Sequence, residues 1–367
     1  MKKFLAILLV LAMIFTLAAC GKKKVEINSV DDIPDTMTSK DGTYKVAFVT
    51  DVGQLKDKSF NQSTYDGCKE IAYNSDISYK YYQPAGGSEA TDDDRYDAMK
   101  AAAENGAEVI VAAGFLQGTA LEKAAKEFPD VKFVFIDGWT MGMDNVCGID
   151  FREEQCGYLA GYAAVMEGFT KLGFCGGGGG ENAACCRYGY GYVQGAEAAA
   201  AKKGITVDMN YTWLYGATFS ASPEMQALAS GWYENGTEII FSCGGTIFDS
   251  ITAAASANDA LVIGVDSDQS FSSDTVVTSA LKGVGEAAKA AIDAAFNGKW
   301  ADFGNHQVTL GAAEGAVGLP VDTWSLENWT VEEYETMFKS IADGSLTVDN
   351  DFNNLGSTEH VNLNLVA

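Results

Sequence analysis

Three carboxylates and a lysine stand where short β-rich runs of this 367-residue chain end: Asp51 in VTDVG, Asp137 in VFIDG, Asp266 in IGVDSD and Lys282 in TSALK. Between them lie Phe60-Asn61 in the run DKSFNQ, Phe219 in YGATFS and Gly244 in FSCGGT. These types suit non-covalent recognition. A carboxylate accepts hydrogen bonds from vicinal hydroxyls or N–H groups, and such charge-assisted bonds are about twice as strong as neutral ones. A lysine nearby keeps an acid ionised and donates in its turn. An aromatic ring offers a flat face to another plate, and a glycine lets a backbone approach closely. Singly each residue has a plainer reading, since Asp after a strand is commonly a cap or turn residue and Phe60 could staple a helix to a sheet. Ser59 is expected as the N-cap of the helix that Phe60 opens.

The elements that must position these residues alternate. Strands are predicted at 44–50, 77–82, 109–113, 132–136, 171–175, 207–213, 238–242, 261–265 and 275–280. Helices are predicted at 60–73, 92–105, 118–128, 152–166, 191–203, 222–234, 247–257 and 284–297. Such alternation implies parallel sheets with right-handed crossovers, and the continuous apolar strand cores imply sheets covered on both faces. Two doubly wound lobes fit the length better than one very wide sheet. The expected division is a first lobe of 44–148 plus about 281–303 and a second of 149–280 plus about 304–367, joined by a hinge. Open α/β sheets bind ligands beyond the carboxyl ends of their strands, so two facing lobes make a cleft.

The N-terminus reads as an export signal. Lys2 and Lys3 precede an apolar run that closes on Leu17-Ala18-Ala19-Cys20, and that run is shorter than the roughly 20 residues a permanent span needs. Cys20 at the first mature position is expected to carry a lipid, with 1–19 removed and 20–43, polar and without periodicity, as a flexible tether. The protein is therefore expected on the extracytoplasmic face of the cell membrane. The net charge of −25 argues against a nucleic-acid polymer as partner. The other seven cysteines, Cys68, Cys147, Cys156, Cys175, Cys185, Cys186 and Cys243, are an odd number without a Cys-x-x-Cys pair. Buried free thiols are expected rather than a disulfide framework or a zinc site. Gly176 to Gly180 lacks the Gly-Lys-Ser/Thr ending of a phosphate loop and is expected as a loose loop at the mouth of the second lobe.

In combination the segments VTDVGQLKDKSFNQS, VFIDG, FREEQCGYLAGYAA, IGVDSDQ and TSALKGV resemble, in order and rough spacing, the basic membrane lipoprotein family of ABC-transporter substrate-binding proteins. The resemblance covers about residues 44–320. It implies an α/β fold of the type I periplasmic-binding-protein class and a nucleoside ligand, with a purine as the expected base. It further implies an ABC permease and its ATPase as partners, a monomeric receptor, no cofactor and no catalysis. By motif, Asp51 and Asn61 would be polar contacts from the first lobe and Phe60 one wall of a base slot. Phe219 would be the opposite wall, with Trp213 and Tyr215 as nearby substitutes. Asp266 and Lys282 would hold the ribose, Gly244 would contribute a backbone contact, and Asp137 would accept from the base edge. Acids aimed at the ligand should favour nucleosides over nucleotides. The alternatives are a receptor for a sugar or other small solute, or a nucleoside-hydrolysing enzyme on the same scaffold. Against catalysis, the chain has no Gly-x-Ser-x-Gly and no His-Glu-x-x-His.

Overall fold

The computed structural model describes residues 29–52 and 54–367. The signal segment, Cys20 and the start of the tether lie outside the described residues.

Along the chain come β1 (Val46–Val49), α1 (Phe60–Asn74), β2 (Tyr79–Tyr82), α2 (Asp92–Glu104), β3 (Val109–Ala113), α3 (Gly118–Glu127), β4 (Lys132–Ile136) and β5 (Val146–Phe151). Then follow α4 (Glu153–Glu167), β6 (Lys171–Gly176), α5 (Ala183–Lys203), β7 (Val207–Thr212), α6 (Pro223–Glu234), β8 (Ile239–Cys243), α7 (Ile247–Ala257), β9 (Leu261–Asp266) and β10 (Val276–Lys282). The chain ends with α8 (Val284–Phe296), β11 (Gln307–Leu310), β12 (Val317–Gly318), α9 (Val331–Ala342) and β13 (Val361–Val366). Two sheets result, in the orders β11-β5-β4-β3-β1-β2 and β12-β10-β9-β8-β6-β7-β13. Every described ladder is parallel except β10 with β12.

Both sheets are covered on both faces. In β1, Val46 and Phe48 face α1 and α8 through Tyr65, Cys68, Ala288 and Ile292. Its alternate residues Ala47 and Val49 face α2 and α3 through Met99, Leu121 and Ala124. The second sheet buries Phe174 and Phe241 against α4 and α5 and Ile240 and Val262 against α6 and α7. Each such side chain, fully removed from water, contributes about 1.5–3 kcal/mol. The α4–α5 contact is close because glycines meet backbone: a Cβ on Gly161 would fall 2.1 Å from Tyr192 O, and one on Gly195 1.9 Å from Tyr158 O.

The chain passes between sheets three times, at Phe151 to Glu153, Lys282 to Val284 and Leu310 to Val317. Divisions at 148/149 and 303/304 therefore fall too early, because β5 runs on to Phe151 and β11 returns to the first sheet. Residues 29–43 are not a free tether either. Ile33 is buried, Met37 bridges Tyr79, and Tyr65 and Tyr79 donate to the carbonyls of Asp35 and Pro34. The apolar residues of that segment, scattered without period, find a groove on the first lobe.

Candidate ligand-binding site

Beyond the carboxyl ends of the two sheets lies a narrow cleft lined by residues of both lobes. Asp51, Phe60, Asn61 and Asp137 reach it from the first lobe, and Phe219, Gly244, Asp266 and Lys282 from the second. All eight sequence-expected side chains thus line one space. Trp213 and Tyr215 do not; Trp213 packs behind the wall on Phe174 and Tyr215 is half exposed.

Each position has a local cause. The first-lobe loop folds around Asp57, whose carboxylate accepts from the backbone N–H groups of Ser59, Asn61 and Gln62 and from Asn61 Nδ2. This corrects the expected cap: Asp57 caps α1, and Ser59 makes no capping bond. The Ser59 hydroxyl is free for another task, donating to Asp266 Oδ2 at 2.6 Å across the lobes. Asn61 Oδ1 accepts the Asp51 N–H at 2.9 Å, which ties the end of β1 to the start of α1. Asp137, Phe219 and Asp266 all have positive φ (53°, 57° and 65°), an uncommon conformation for these residues. It turns each one off its strand or loop into the cavity.

Lys282 is the electrostatic centre. Its Nζ lies 2.7 Å from Asp137 Oδ2, 3.3 Å from Glu153 Oε1 and 3.9 Å from Asp266 Oδ1. Glu153 Oε2 in turn accepts from Arg187 Nε at 2.7 Å. Burial opposes the lysine charge, but the three carboxylates outweigh it and hold its pKa above the ordinary value. Burial pushes Asp137 up to about 6 against the pull of Lys282, and pushes Asp51 up to about 7. The lysine also stands 5.0 Å from the Phe60 ring centre, within cation–π reach.

The glycine run has a role that sequence reasoning missed. A Cβ on Gly177 would lie 2.3 Å from the Phe219 ring and one on Gly244 2.8 Å from it, while Gly176 and Gly180 make room for Trp213. The run is a cradle for two aromatic rings rather than a loose loop. Also missed were Ser59 as a cross-lobe donor, Glu153, Arg187 and Tyr188, whose hydroxyl donates to Asp266 Oδ1 at 3.2 Å. Glu153 carried no strand-end signal, because β5, which ends two residues before it at Phe151, was not expected from the sequence. Arg187 and Tyr188 carried none, because the expected helix began at 191 whereas α5 begins at Ala183. The seven described cysteines are all free and buried. Among the described residues no group of three or more His, Cys, Asp or Glu could hold a metal ion.

The profile of one family, described as ABC transporter substrate-binding protein PnrA-like, matches residues 44–350. The chain belongs to this Bmp family. A Bmp relative, the ABC transporter nucleoside-binding protein BmpA of Lactococcus lactis, is 31% identical over 330 residues, covering 83% of this chain and 88% of that protein. The CD4+ T-cell-stimulating antigen of Listeria innocua is 29% identical, covering 94% and 97%. A solute-binding protein of an ABC transporter from Aeropyrum pernix has the same fold, with a TM-score of 0.71 at 23% identity over 84% of this chain and 95% of that one. As a Bmp protein, the chain is an ABC-transporter substrate-binding protein with a two-lobe α/β fold.

Proposed function

We propose that the protein is a lipid-anchored, extracytoplasmic receptor that closes its lobes on a nucleoside, with purine as the favoured base, and passes it intact to an ABC permease. The observation that carries this reading is the composition of the cleft between the lobes. Two phenylalanines, one from each lobe, line the same cavity as a buried Asp–Lys pair and three further acids, Asp51, Asp57 and Asp137. Base-on-aromatic stacking contributes on the order of 1–3 kcal/mol per base. Asp266 suits the vicinal hydroxyls of ribose: a carboxylate has about four acceptor sites, so Ser59 and Tyr188 leave capacity for both. Lys282 joins the same group to Asp137, so one ligand touching all three holds both lobes and favours the closed form. Three acids around one lysine disfavour a phosphate, which supports nucleosides over nucleotides. Anchoring through Cys20 completes the reading. The relative named as nucleoside-binding lends it support.

The test is calorimetric titration of the refolded protein, stripped of carried ligand, with purine and pyrimidine nucleosides, nucleotides and sugars. Binding at micromolar or tighter Kd is expected for a purine nucleoside, lost in Asp266→Ala and weakened about tenfold or more in Phe60→Ala. A folded protein that gives heat only with a sugar, or that releases free ribose, sinks the proposal.

A further inference from the structure

Two of the seven described cysteines stand apart from the rest. Cys185, in the first turn of α5, and Cys243, at the end of β8, both line the cleft, and among the described cysteines only these two do. Both are free. Cys185 Sγ lies 3.8 Å from the Cys243 carbonyl oxygen. The thiols are near enough to act on each other: burial first, and the Cys185 thiol next, hold the Cys243 thiol well above its ordinary pKa. Cys186, the next residue along, turns instead to the Gly180 carbonyl, with its Sγ at 3.2 Å. The recognition chemistry assigned to the cleft uses carboxylates, a lysine and aromatic rings, and leaves this thiol pair without a task.

We propose that Cys185 and Cys243 form a redox-modification site, a pair that hydrogen peroxide converts to a disulfide in the empty cleft, and that the disulfide weakens ligand binding. Cys185 is attacked first, because it reaches the wall of the cleft with 6% of its surface while Cys243 is fully buried. Its sulfur takes one peroxide oxygen as a sulfenic acid, the O–O bond breaks, and the first water leaves. The Cys243 sulfur then attacks the Cys185 sulfur, the S–O bond breaks, and the second water leaves with the Cys243 proton. In sum, two thiols and one peroxide give one disulfide and two waters, and the peroxide takes up the two electrons.

The consequence for the ligand follows from what the two residues hold. Disulfide sulfurs stand about 2 Å apart, so the bond draws the first turn of α5 towards the end of β8. The Cys243 carbonyl accepts the Gly177 N–H at 2.8 Å, and Gly244 follows it directly. Gly177 and Gly244 are the glycines that back the Phe219 ring. On the other side, Asn182 Oδ1 holds the Cys185 N–H at 2.9 Å. Moving either end therefore shifts the aromatic wall. Coupling of this kind is reciprocal: a ligand seated against the wall covers the thiols and protects them. In the closed form they are shielded, and buried thiols are inert; parting of the lobes uncovers them. On the extracytoplasmic side proposed above, no cytosolic thiol pool keeps such a pair reduced. The chemistry itself is read on the purified protein and does not depend on that placement.

The experiment treats the protein with hydrogen peroxide, with and without guanosine or adenosine, and maps cysteine pairing by mass spectrometry of an unreduced digest. A Cys185–Cys243 link is expected, formed at least about threefold more slowly with nucleoside bound. Calorimetry on the linked protein is expected to show nucleoside affinity lowered at least about tenfold and restored by dithiothreitol. Cys185→Ser is expected to lose this response to peroxide. Cys185 and Cys243 left unlinked, or a linked protein that binds as the reduced one does, overturns the inference and leaves the nucleoside reading standing. If neither nucleoside binds the reduced protein, the nucleoside reading falls and the wall is read from hydrogen exchange at the Gly177 amide. Faster exchange in the linked protein then supports the inference, and unchanged exchange overturns it. The mapping needs no variant, so a misfolded Cys185→Ser protein does not blunt it.

Discussion

Ser59 Oγ donates to Asp266 Oδ2 at 2.6 Å and so joins the loop before α1 to the end of β9 across the cleft. It does not act alone. The carbonyl oxygen of the preceding Lys58 accepts from Ser267 Oγ at 2.9 Å and from Gln269 Nε2 at 3.0 Å. Three cross-lobe hydrogen bonds therefore close the cleft on one short loop, and one of them uses the carboxylate proposed to hold the ribose.

Removing the Ser59 hydroxyl tests that closure. A buried hydrogen bond to a charged group contributes about 1.5–3 kcal/mol, enough to shift an open–closed equilibrium by an order of magnitude or more. Ser59→Ala is expected to open the ligand-free protein, seen as a larger radius of gyration by solution scattering. An unchanged scattering curve would show that the bond has no part in closure.

Gly177 allows a test of space alone, since its φ of −79° is open to any residue. In Gly177→Ala the new methyl meets the Phe219 ring and must displace it. Affinity for an aromatic ligand is expected to fall by about 1–3 kcal/mol, the range lost when a stacking ring is removed. Calorimetry beside a thermal melt separates this from unfolding: a variant that binds as the parent does would show that the cradle does not set the Phe219 position.

Glu153, fully buried, stands between Lys282 and Arg187. Removing one partner of a buried ion pair costs about 3–5 kcal/mol because charge is left unmatched. Glu153→Gln is expected to lose stability of that order in denaturant titration and to weaken ligand binding through Lys282. A loss under about 1 kcal/mol would place the pair among weak surface-type ion pairs.

Asp51, Asp137 and Glu154 share a sign. Burial raises all three, to about 7, about 6 and about 7, so in the window from about pH 4 to 7 the folded chain binds more protons than the unfolded one. Stability of the ligand-free protein must then fall as pH rises through that window. Asp51→Asn, which carries no charge in either state, is expected to reduce the slope by on the order of 2–4 kcal/mol across it. Denaturant midpoints at pH 5 and pH 8 measure this, and equal slopes for parent and variant would contradict it.

Much of the architecture was legible because its periods are local. Apolar runs bounded by helical stretches mark β3, β4 and β9 within a residue and β1 within two, and sheets covered on both faces need such runs. The strands that escaped, β5, β11, β12 and β13, are short, edge-lying or mixed in polarity, and they exist because a neighbour supplies their hydrogen bonds. The helix α9 escaped despite a readable start, Thr330 and Glu333 forming a capping box.

At the cleft, the strand-end acids Asp51, Asp137 and Asp266, the lysine, and Phe60 and Phe219 were all legible as types in an order. A side chain at a strand's carboxyl end must point beyond the sheet, and that much follows from connectivity. Pairing was not legible. That Lys282 meets Asp137 of the other lobe, that Ser59 leaves its helix for Asp266, and that Gly177 and Gly244 back the Phe219 ring depend on contacts between segments far apart in the chain. Local propensity carries no information on which distant groups share a low-dielectric space. Packing the two lobes together brings charge to charge and ring to glycine, and so sets the geometry of the cleft.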